Sequence, residues 1–119
     1  MKAYTDINQS EKLAKILPLE SADMKWYFLK SEIDAPKLPS FGYSKNAAEN
    51  YKSTEAVYLP CWSLVALLNI LHDYTLQTNT DGSVFVVCAS KKPMISDSFD
   101  NSVDACVDMI IKLKERNLI

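Results

Sequence analysis

The chain has 119 residues, 48% of them apolar and 24% charged, with a formal charge of −2 and a pI near 5.3. That length suits a single domain over 1–119 with its own core, independent of disulfides or metal. The acidic balance, with no basic run beyond Lys91-Lys92, argues against nucleic-acid binding, which rests on neutralising phosphates.

The first element in chain order is a helix over "TDINQSEKLAKIL", capped by Thr5 or Asp6 and stopped before Pro18. Its apolar residues Ile7, Leu13, Ala14, Ile16 and Leu17 fall on one side at helical spacing. Ser21 then caps a short turn, and Trp26-Tyr27-Phe28-Leu29 favours a strand. Residues 31–54 hold Pro36, Pro39 and Gly42 without sustained periodicity, and read as a long irregular loop carrying Phe41, Tyr43 and Tyr51. A helical turn fits "KNAAENY" within it.

"EAVYL" reads as a strand stopping at Pro60, followed by a helix through "WSLVALLNILHD" with Ser63 at its first turn or cap. Leu64, Val65, Leu67, Leu68 and Leu71 share its apolar arc. Asp81-Gly82 predicts a two-residue hairpin turn that sets Thr78 opposite Phe85 and Leu76 opposite Val87. Tyr74, Leu76, Phe85, Val87 and Ala89 would then form its apolar face. Met94 to Ser96 adds a strand. The last helix starts near Asp100 or Ser102, with an apolar arc through Val103, Cys106, Val107, Ile110 and Leu113 and a left-handed stop at Asn117. The order predicts α+β: a small antiparallel sheet of three to five strands with about three helices packed on it.

No candidate for chemistry is complete. With two glycines, Gly42 and Gly82, the chain has no phosphate-cradling loop, and no cofactor is implied. Cys61, Cys88 and Cys106 are odd in number and lack zinc spacing, which reads as buried thiols in a reducing cytosol. Cys61 and His72, if both on one helix, share a face but stand roughly 16 Å apart along its axis, too far for a nucleophile and its base. Asp104 and Asp108 lie one turn apart, but no further ligand completes a metal site; a solvated face explains them. No catalytic, cofactor or metal residue is therefore assigned, and the balance leans away from an enzyme. The N-terminus turns polar at once, and Trp62 to Leu71 falls far short of the roughly 20 residues of a membrane helix, so a soluble cytoplasmic protein is expected.

What remains is aromatic. Trp26, Tyr27, Phe41 and Tyr43 concentrate around the long loop, and buried aromatics dominate interface energies. The expectation is a non-enzymatic module that binds another protein, or itself, through these four. The alternatives are a small hydrolase using His72 with Cys88 or Cys106, and a weak nucleic-acid binder using Lys25, Lys30, Lys37 and Lys45.

Two segments carry a resemblance. "INQSEKLAKILPLESADMKW" and "YLPCWSLVALLNIL" follow the pattern I-x-Q-S, then A-D-M-x-W, then P-x-W-S-L-x-x-L-L, through Ile7, Gln9, Ser10, Ala22, Asp23, Met24, Trp26, Pro60, Trp62, Ser63, Leu64, Leu67 and Leu68. In this the chain resembles a group of short, uncharacterised proteins of gut-bacterial genomes, often encoded near prophage or conjugative-element genes. The match covers roughly a third of the chain and excludes the 31–54 loop. The resemblance implies a small cytosolic accessory protein of mobile-element origin, and it supplies no catalytic residues.

Overall fold

The structure, a computed structural model, describes residues 2–32, 37–43, 56–89 and 93–119. The turn expected at "KNAAENY", with Lys45 and Tyr51, lies outside the described residues. The fold is α+β; the described residues form three helices and strands divided between two small antiparallel sheets. In chain order the elements are α1 (Ile7–Ala14), β1 (Met24–Leu29), β2 (Ser40–Phe41), β3 (Ala56–Cys61), α2 (Leu64–Ile70), β4 (Tyr74–Thr78), β5 (Val84–Cys88), β6 (Met94–Ile95) and α3 (Ser102–Glu115). The first sheet runs β2-β1-β3 and the second β4-β5-β6.

Helix α1 begins with a reciprocal cap. Asp6 Oδ1 accepts from the Gln9 amide (2.8 Å), and Gln9 Oε1 accepts from the Asp6 amide (3.1 Å), satisfying two donors that the first turn leaves free. Thr5, the other capping candidate, is instead fully buried. The helix ends one turn before Pro18, and a 3-10 turn, Leu19–Ser21, leads into β1. Alternation then sorts β1: Met24, Trp26 and Phe28 face inward, while Tyr27 and Leu29 face out.

Strand β3 does not stop at Pro60. It continues to Cys61, with Pro60 opposite Lys25. Among the described residues β3 is an edge strand, and an edge tolerates a residue without an N–H because the missing donor belongs to the outer side. Part of the segment expected to be irregular is likewise ordered, since Ser40 and Phe41 pair with Lys25 and Met24. The helix after Pro60 is shorter than expected, running from Leu64 to Ile70 with Ser63 as its cap.

The hairpin differs from its expected register by one residue. Asn79 donates to Ser83 O (2.8 Å) and Gly82 to Asn79 O (3.0 Å), so Thr80, Asp81 and Gly82 make a three-residue loop. Gly82 sits at φ +90°, the bulge position that favours glycine. Thr78 therefore pairs with Val84, Leu76 with Val86 and Tyr74 with Cys88. A slip of one residue exchanges the faces of β5: Val86 and Cys88 are buried, and Phe85 and Val87 point the other way.

The main core gathers Leu13, Trp62, Leu67, Val86, Cys106, Met109 and Ile110 between the three helices and the second sheet. Trp62 is fully buried, and its indole N–H reaches Ser21 Oγ at 2.9 Å. A smaller core of Met24, Trp26, Phe28 and Cys61 lies under the first sheet. Helix α3 is capped by Asn101, which accepts from the Asp104 amide at 2.8 Å. It closes with Asn117 at φ 55° and a bond from Leu118 N–H to Leu113 O (2.9 Å), the left-handed stop expected there. After β6 an extra residue bulges the strand, and Ser96 Oγ replaces a carbonyl as acceptor for the buried Val86 N–H (2.8 Å).

The N-terminal segment straps the layers together. Ala3 O accepts from Leu64, Thr5 N–H donates to Trp62 O, and Tyr4 bridges Ser63. Lys2 Nζ then reaches Asp104 on α3 (2.7 Å) and Asp6 on α1 (3.0 Å). Partial burial by itself would raise the Asp104 carboxyl. Hydrogen bonds from Lys2, Asn101 and Gln9, with the Lys2 charge, outweigh that and hold it below its ordinary 3.8.

Two tests address these contacts. Ser96→Ala orphans the Val86 amide and is expected to cost about 1–3 kcal/mol in urea unfolding, the usual penalty for a buried unpaired donor. A carboxyl depressed in the folded state adds stability above its unfolded pKa and forfeits it as pH falls through the folded value. Thermal melts of the native protein below about pH 4 should therefore fall more steeply than those of Asp104→Asn.

Candidate functional site

An apolar concavity lies where the first sheet meets α2. It is a groove of about 760 Å³ with Ala3 and Tyr4 of the strap on one side, Leu64 and Val65 of α2 on another, and Met24, Leu38, Pro39 and Phe41 on the third. Each wall follows from local structure. Ser63 caps α2, accepting from the Ala66 amide (3.2 Å), which sets Leu64 and Val65 in the first turn at the groove margin. Asp23 fixes that turn, accepting from the Ser63 amide (2.9 Å) and from the Ser63 hydroxyl. Gly42, at φ +87°, donates to Asp23 O (2.8 Å) and turns the chain after β2, holding Phe41 over the opening.

Three large apolar side chains stand in solvent around this groove: Leu38 is 83% exposed, Phe41 78% and Val65 66%. The polar groups at its base, Asp23 and Ser63, are bonded to each other. What the arrangement offers is an apolar trough with a rim of side chains that become buried when something fills it.

The four aromatics expected to bind a partner are divided by the structure. Phe41 is on the groove. Trp26 is 6% exposed, packed edge-on against Tyr4 (5.8 Å between centroids) with its indole N–H directed at Thr5 O, so it builds the core beneath the groove. Tyr27 and Tyr43 belong to a different surface. Both pack against Tyr58 on the outer face of the first sheet, with centroids 6.1 and 5.5 Å away. The residues that sequence reasoning missed are Leu38 and Val65. Leu38 carried a signal, an apolar residue among prolines and polar residues in a segment without periodicity. Val65 carried none, since it falls on the apolar arc of its helix.

The candidates for chemistry are also placed. Cys61 closes β3 and His72 lies beyond the end of α2, so the shared-helix geometry assumed for them does not occur. His72 is exposed, whereas all three cysteines are buried. Burial raises the Cys61 and Cys88 thiols and pushes Cys106 up to about 12. That is opposite to the depression a thiolate nucleophile needs. Cys61 is further engaged with Thr5, donating to its carbonyl at 3.4 Å. Asp104 is held by the strap, and Asp108 bonds Lys112 (3.0 Å) and the Asp97 amide (2.9 Å). Among the described residues no cluster of three or more His, Cys, Asp or Glu is arranged to hold a metal. Of the lysines suggested for nucleic acid, Lys37 lies over the Phe28 ring (4.7 Å), and Lys45 is outside the described residues. Among the described residues no helix is long and apolar enough to cross a membrane.

No protein-family model, curated protein or solved structure matches the chain.

The thiol placement is directly measurable. Native protein at pH 8 is expected to react slowly with a chromogenic disulfide reagent, and all three thiols should react on unfolding in urea. A thiol that reacts at once in the native protein would mean that its burial is wrong.

Proposed function

We propose that the chain is a non-enzymatic interaction module that seats an apolar segment of another protein in the groove between the first sheet and α2. The observation carrying this is the exposure of Leu38, Phe41 and Val65 together around one apolar trough. Isolated exposed apolar residues are ordinary, but several gathered at a concavity are not, because each forgoes burial that the fold supplies elsewhere. Phe41 is the natural anchor: it is aromatic, fixed at its base by β-pairing and the Gly42 turn, and open along its side chain. An accessory role of mobile-element origin is part of the same proposal and rests on the resemblance in the Ile7–Trp26 and Pro60–Leu68 segments.

The test is site-specific photo-crosslinking from Val65 in cells that produce the protein. A discrete adduct is expected, and Phe41→Asp should reduce its yield about tenfold or more, the effect of removing a buried aromatic anchor. Phe41 is exposed, so its far-UV circular dichroism should match the native protein. An adduct of unchanged yield in the Phe41→Asp protein would refute the reading.

A further inference from the structure

The second sheet ends in β4, and the outer edge of that strand carries a separate signal. The hydrogen bonds flanking the hairpin set its phase: Asn79 N–H donates to Ser83 O and Ala89 N–H to Asp73 O, both 2.8 Å. In an antiparallel ladder the residues bonded to a given neighbour recur every second position. The odd-numbered residues 73, 75, 77 and 79 therefore face β5, and Tyr74, Leu76 and Thr78 direct their N–H and C=O groups away from it. Among the described residues none pairs with this edge.

Edge strands in soluble proteins are usually protected by a charge, a proline or a bulge. β4, "YTLQT", has none of these. Paired antiparallel with a second copy about Leu76, it sets Leu76 against Leu76 and Tyr74 against Thr78, and none of its five residues is charged. We infer that a second copy of this chain docks on β4, antiparallel about a two-fold axis at Leu76, and joins the two three-stranded sheets into one of six strands.

The register follows from the phase. Leu76 faces Leu76 of the second copy, and Tyr74 faces Thr78 of it twice over, an aromatic–β-branched pairing that favours the ladder. Each facing pair exchanges both backbone bonds, giving about six new hydrogen bonds. On the exposed side Thr75 faces Gln77 of the second copy. Beyond the strand, Asp73 falls opposite Asn79 and His72 opposite Thr80, so no like charges meet. The groove takes no part, and either proposal can fail without the other.

Sedimentation equilibrium up to millimolar concentration tests this with two double variants at exposed positions. The native chain is expected to move from 13.4 kDa toward twice that mass as concentration rises. Thr75→Lys with Gln77→Lys sets lysines opposite each other across the two-fold and should stay monomeric at concentrations where the native chain is dimeric. Thr75→Lys with Gln77→Glu sets opposite charges there in this register and should dimerise at least as well as the native chain. The two variants differ at one exposed residue, and matching circular dichroism establishes that both are folded. A native chain that remains monomeric throughout, a lysine pair that dimerises undiminished, or a Lys/Glu variant as monomeric as the Lys/Lys one would each overturn the inference.

Discussion

The fold depends on a short exchange of hydrogen bonds between residues 3–5 and residues 62–64. Thr5 N–H donates to Trp62 O at 2.9 Å, Trp62 N–H donates to Thr5 Oγ1 at 3.1 Å, and Leu64 N–H donates to Ala3 O at 3.0 Å. Here β3 hands over to α2 and the chain leaves one layer for the other, so its backbone groups have no ladder or helix of their own to satisfy them. The strap supplies those partners. It must bury a hydroxyl to do so, and Thr5, with no exposed surface, meets that cost by also bonding Ser10 Oγ at 2.8 Å. Trp62, packed beneath, is thereby fixed in the main core while its neighbour Cys61 belongs to the smaller one.

The groove is a consequence of that junction. The strap covers the seam between the layers at Ala3 and Tyr4, and Leu64 and Val65 of α2 and the start of β1 line the opening beside it. Asp23, a carboxylate lining this opening, has both oxygens engaged, one by the Ser63 amide and the other by the Ser63 hydroxyl. A carboxylate so engaged organises the cap of α2 and offers little to an incoming polar group. What is left for a ligand is chiefly apolar contact, which is the ground for proposing an apolar protein segment rather than a charged small molecule.

Much of the fold was legible in the sequence. The order of elements, the caps at Asp6 and Ser63 and the stop at Asn117 are decided by residues close in sequence, and local chemistry was enough to read them; Ser21 forms no cap, and α3 is capped by Asn101 rather than by a residue named for it. The other failures share a cause: each needed information from a neighbouring strand. Asp81-Gly82 is compatible with a two-residue or a three-residue loop, and the bulge wins because it presents Val86 and Cys88 to α3. Pro60 ends a strand only if that strand has neighbours on both sides, and among the described residues β3 has one. The Cys61–His72 comparison assumed a helix that begins three residues after Cys61.

The site was legible in part for a related reason. Periodicity states which side of an element faces inward, but it does not say how far the core extends along the element. Val65 lies on the apolar arc of α2 and yet is exposed, while Ala66 and Leu67 in the same turn are buried, so the core covers only part of that arc. Trp26 and Phe41 are both aromatic and both belong to the first sheet; one lies on its inner face and the other at its two-residue edge strand. At Val65 local pattern thus asks for burial and the tertiary structure withholds it, and Leu38 and Phe41 are large apolar side chains likewise left in solvent. In a single chain all three stay in solvent, and the partner proposed for the groove would bury them together.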